Sequence, residues 1–172
     1  MTSDEVTFSQ RPGDPVFSSD DRLPVSIREL DLGPIVWKLT SDESESASEV
    51  DWSTKQTLRV CEEYRKFLTL SLEGNGKVTS PSRNIDIIWH HHILDTQKYY
   101  EDCHRIFGHV VHHFPYLGVR GSADRQILLD AYEDTKKRYC ARFGQVPEDV
   151  WGMAAHCGVS TCSTPTNCSS QF

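Results

Sequence analysis

Seven of the eight histidines fall between His90 and His113, and this density is the feature of the chain that speaks most directly to chemistry. Neutral imidazole and thiolate are the preferred ligands of zinc-class metals, and four converging ligands suffice for a structural site. Within IDIIWHHHILDTQKYYEDCHRIFGHVVHHFPY (85–116) the candidate ligands are His90, His92, Cys103 and His113. Asp86 lies four residues before His90, placed to hydrogen-bond its ring from outside the ligand set. On a straight helix His90 and His92 point about 160° apart, so both reach one ion only where the helix ends or distorts. His92 and Cys103 are expected on the inner faces of two helices joined by a very short link, and His113, or its neighbour His112, returns in the next segment. The same cluster with one position left open would serve a metal-dependent enzyme. His91, His104 and His109 are expected on outer or merely structural positions. Nothing marks an oxyanion hole for a Cys103–His nucleophile. The Gly74-Asn75-Gly76-Lys77 run lacks the strand–loop–helix context of a phosphate loop and reads as a turn.

The elements that must carry these residues read as helices. Leu58, Cys61, Tyr64, Phe67, Leu68 and Leu72 follow helical spacing over about 52–72. Ser80-Pro81 reads as an N-cap followed by proline in the first turn of a helix over about 82–93. That helix puts Ile85, Ile88, Trp89 and His92 on one face and Asp86, His90 and Ile93 on an adjoining one. Asp95 caps a helix over about 96–107, with Gly108 as its stop and Tyr99, Cys103, Ile106 and Phe107 as its buried stripe. Ser122 is expected to cap the last long helix, 123–143, along Leu128, Tyr132, Thr135, Tyr139 and Phe143. A short helix is expected from Pro34, and the acidic, Ser-rich stretch 41–51 reads as a solvated loop. The fold class is therefore all-α: one small helical domain over 27–150, a disordered arm over 1–26, and a flexible Cys/Ser/Thr-rich tail over 151–172.

Charge and composition exclude several classes. The net charge is −7, but residues 1–52 hold 12 acidic against 4 basic groups, which leaves the remainder near neutral. With no basic patch, nucleic acid is not an expected partner, nor is an anionic membrane surface. No apolar run approaches the ~18–20 residues of a membrane span. The first residues lack a basic and an apolar signal region, so the expected compartment is the cytoplasm, where thiols stay reduced.

The pattern Asp86, Trp89, His90, His92, Leu94, followed by Tyr99, Asp102, Cys103, by Phe107-Gly108 and by His113, resembles the glycine-rich domain-containing protein-like family. EYRKFLTL (63–70), HHFPYLGVRG (112–121) and LDLGPIVWKL (30–39) belong to the same resemblance, which covers about residues 29–145. The resemblance implies one domain with a working site, names no reaction, and implies small bacterial-type relatives with Cys-containing tails.

The tail supports a second class of function. CGVSTCSTPTNCSSQF (Cys157–Phe172) mixes Cys with dehydratable Ser and Thr, as does the core of a ribosomally synthesised modified peptide. On that reading the helical domain is a large leader, and an enzyme that modifies the tail is the expected partner.

Overall fold

The computed structural model describes residues 11–155. The helices are α1 (Val25–Arg28), α2 (Gly33–Thr40), a 3-10 turn (Glu45–Glu49), α3 (Thr54–Glu73), α4 (Arg83–Leu94), α5 (Thr96–Phe107), α6 (Ser122–Phe143) and α7 (Glu148–Trp151). No strand occurs among the described residues; a single antiparallel bridge joins Ser82 to Ala154. The all-α expectation holds.

Local chemistry sets the helix ends. At the start of α3, Ser53 and Gln56 form a reciprocal capping box: the Ser53 hydroxyl accepts the Gln56 N–H, and the Gln56 side chain accepts the Ser53 N–H at 2.8 Å. Such a cap stabilises a helix by about 1 kcal/mol. The Asp95 carboxylate accepts the Lys98 N–H to start α5, and Gly108 stops it in the left-handed region at φ 76°. α4 begins later than Ser80-Pro81 suggests, because the Ser82 side chain, not Ser80, accepts the Ile85 N–H. Ser122 likewise lies inside α6, whose N-cap is Gly121.

α3 is the central element, packed against α1, α2, α4 and α6. Val60, Cys61, Tyr64, Phe67 and Leu68 form its buried stripe, whereas Leu58 faces outward. On α4, Ile85, Ile88, Trp89 and His92 are buried together as the spacing predicts. The α6 line of Leu128, Tyr132, Thr135 and Tyr139 is buried too. Cys61 and Cys103 are free, buried thiols.

Two boundaries differ from those read in the sequence. Residues 11–24, expected within a disordered arm, lie against the helices. Val16 donates its N–H to Asp31 at 2.8 Å and accepts from Leu32, and Ser18 bonds Glu62 at 2.7 Å. The reason is Arg65, a fully buried guanidinium on α3 that donates to the carbonyls of Val16 and Leu30 and to Glu62. A buried cation requires such acceptors, and this polar segment supplies one. At the other end, Trp151 is fully buried, and Ala154 and Ala155 pack beside Ser82 and Pro81. The Trp151 indole N–H and the Tyr139 hydroxyl both donate to Glu63, at 2.9 and 2.8 Å, and Lys66 completes the shell of that buried carboxylate. The body therefore extends past residue 150. The tail segment Cys157–Phe172 and residues 1–10 lie outside the described residues.

Candidate metal centre

α4 carries two different chemistries on two faces. Asp86 and His90, one helical turn apart, project to the same side, where His113 meets them from the extended segment after α5. Asp86 Oδ1 lies 3.0 Å from His113 Nε2, His113 Nε2 lies 3.1 Å from His90 Nε2, and His90 Nε2 lies 3.6 Å from Asp86 Oδ2. Among the described residues these three form the group of His, Cys and acidic side chains whose donor atoms converge closely enough to share an ion. Ligand bonds of about 2.1 Å place donors about 3.0 Å apart in an octahedral site and about 3.4 Å apart in a tetrahedral one. The 3.0 and 3.1 Å separations fall in that range, and the His90–Asp86 separation of 3.6 Å is slightly longer.

A neutral imidazole nitrogen is either a donor or an acceptor. A cation would use all three lone pairs at once. Asp86 also stands in the first turn of α4, where the helix dipole favours its negative charge.

His113 is delivered by a chain of buried contacts. The Trp89 indole N–H donates to the Tyr99 hydroxyl at 2.9 Å, and that hydroxyl donates to the Val111 carbonyl. The Trp89 ring also meets the His113 ring edge-on, with centroids 4.7 Å apart. Cys103 lies in the hydrophobic core with its thiol against Tyr99 and the Val111 backbone, and burial pushes that thiol's pKa up. It supports the segment as a neutral thiol.

The four residues expected to converge thus divide. His90 and His113 come together, with Asp86 beside them as a third donor in place of the outer partner expected. His92 and Cys103 are not brought to them. α4 continues without distortion to Leu94, so His92 points away from His90 and inward. There the Tyr64 hydroxyl donates to His92 Nδ1 at 2.9 Å, and His92 Nε2 lies 3.1 Å from Asp102 Oδ2. Burial opposes ionisation of Asp102, but hydrogen bonds from His92, Lys98 and Arg105 outweigh it and hold the carboxyl well below the usual range. An ionised Asp102 fixes the proton on His92 Nε2, and burial lowers the His92 pKa so that the ring stays neutral. Sequence reasoning missed Tyr64 as a partner, although its place on the buried stripe of α3 was visible. His91 is buried and meets Glu49 at 3.2 Å, a structural position as expected. His104, His109 and His112 are exposed.

A family profile described as UCP032817-like matches residues 36–130, more than half of the chain. The chain belongs to the UCP032817-like family. That family is uncharacterised, and its match spans α3, α4, α5 and His113, so every donor of the trio lies inside the UCP032817-like region. No curated protein matches the chain, and no solved structure matches it. Among the described residues, no helix of this UCP032817-like protein is long and apolar enough to cross a membrane.

Proposed function

We propose that this domain binds one divalent transition-metal ion through Asp86, His90 and His113. The observation that carries the reading is the convergence of donor atoms from Asp86, His90 and His113, at 3.0, 3.1 and 3.6 Å. Two imidazoles and a carboxylate suit zinc and also iron(II), and three protein ligands leave coordination positions for water or a substrate. Asp86 and His113 are largely shielded while His90 is 45% exposed, so an ion here is accessible from one side. The motif resemblance to the glycine-rich domain-containing protein-like family belongs to this same reading, since Asp86, His90 and His113 are among the residues that carry it. The test is a Zn2+ titration of the full chain against a chromophoric chelator. One site is expected in the natural sequence, with at least a tenfold loss of affinity in His90→Ala and in His113→Ala. Unchanged affinity in both variants overturns the proposal.

A further inference from the structure

Asp86 and His113 also form part of the wall of a cavity of about 600 Å3. Its body is apolar, with Phe67, Trp89, Phe107, Leu117 and Leu128 among its walls. This volume falls in the range of small-molecule sites, which are concave and mostly apolar with a few placed polar groups. One such group is Ser80. Ser80 is one of the wall residues and 2% exposed, and its Oγ has no hydrogen-bond partner among the described residues, although its N–H is held by Thr135 at 3.0 Å. An unmade hydrogen bond at a buried hydroxyl is unfavourable, so the position is suited to a guest that brings an oxygen.

Charge narrows the guest. Asp86 is the one carboxylate among the described residues that line the cavity, and Lys77 is the one lysine or arginine. A divalent ion on Asp86 and two neutral imidazoles keeps a net charge of +1, so an anionic oxygen is the favoured additional ligand. We propose that the cavity binds an apolar monocarboxylate, its head at the ion and its hydrocarbon body between the aromatic and leucine walls. This inference rests on the metal reading above.

Calorimetry with 4-phenylbutyrate, and with the uncharged 4-phenylbutanamide, tests it on the full chain with and without Zn2+. The zinc-loaded protein is expected to bind the acid at least tenfold more tightly than the amide, and at least tenfold more tightly than the zinc-free protein does. Leu117→Trp and Val78→Trp, which narrow the cavity from a half-buried and an exposed wall position, are expected to weaken the acid tenfold while Zn2+ affinity stays within about twofold. Two variants guard against misfolding in one, and retained Zn2+ binding reports the fold. Equal affinity for acid and amide, no binding of either, or indifference to both tryptophans, with Zn2+ still bound, overturns the cavity proposal and leaves the metal reading standing. Loss of Zn2+ binding by the natural sequence itself overturns both, and the Zn2+ titration shows that separately.

Discussion

Replacing His92 by Ala separates the two faces of α4. The ring is buried and bridges α3 to α5 through Tyr64 and Asp102. Removing it leaves the Tyr64 hydroxyl without its acceptor, which costs about 1–3 kcal/mol for a buried group. Asp102 keeps Lys98 at 2.7 Å and Arg105 at 2.9 Å but loses one hydrogen bond to a charged acceptor, about 1.5–3 kcal/mol. The space left by the ring adds a packing loss. These contributions overlap, and a total of about 3–5 kcal/mol is expected, a large part of the ~5–15 kcal/mol by which a domain is stable. In urea, with a slope of about 1.5–2 kcal/mol/M, the midpoint should fall by about 2 M. His92→Gln, whose amide can meet one partner, should recover part of the loss. In both variants the folded protein should bind Zn2+ within about threefold of the natural sequence. A stability change under 1 kcal/mol refutes the buried bridge. A large loss of Zn2+ affinity with the fold intact refutes the separation of faces and restores His92 as a ligand.

Acid should destabilise the fold in two stages. Burial holds His91 and His92 below the ordinary imidazole value of about 6.5, so the unfolded chain takes their protons first and stability falls as pH drops below that value. Asp102 and Asp124, the latter held at about 2 chiefly by its hydrogen bond from Arg120, add a second loss below about pH 4. Urea midpoints from pH 7.5 to 3 check this, and a flat or rising profile toward acid contradicts it. Gly118→Ala should destabilise by about 1–2 kcal/mol and weaken Zn2+ binding, because Gly118 has φ 90° and its Cβ would lie 2.5 Å from Leu128 Cδ2, in the loop that follows His113. Thermal melts with parallel Zn2+ titrations decide that. Glu63→Ala should cost about 3–5 kcal/mol in urea unfolding and expose Trp151 to fluorescence quenchers, because Lys66, Tyr139 and Trp151 all lose their shared acceptor.

Much of the frame was legible because it is written in local chemistry. α5 runs from Thr96 to Phe107 as its Asp95 cap and Gly108 stop predict. The adjoining face of α4 that holds Asp86 and His90 follows from the helical period alone. What the period does not give is which neighbour each face meets. The short link at Asp95 suggested that His92 would face Cys103, yet the buried surface of α3 claims His92, and Tyr99 claims the segment that brings His113 to the other side. The boundaries differ for a related reason: polar composition at 11–24 hides its partner, the fully buried cation Arg65, which takes a carbonyl from it. The ends of the body hid a readable sign as well. Pro147 followed by Glu148 and Asp149 is a helix-start pattern, and it leads into the buried Trp151.

X-ray absorption at the zinc edge of the Zn2+-loaded full chain tests the central claim most directly, because it reads the ligand elements around the ion. The account predicts a shell of nitrogen and oxygen only, with imidazole scattering from two histidines that falls to one in His113→Ala. A sulfur scatterer at about 2.3 Å, the distance of a zinc–thiolate bond, would instead put a cysteine such as Cys103 on the ion and contradict the Asp86–His90–His113 centre.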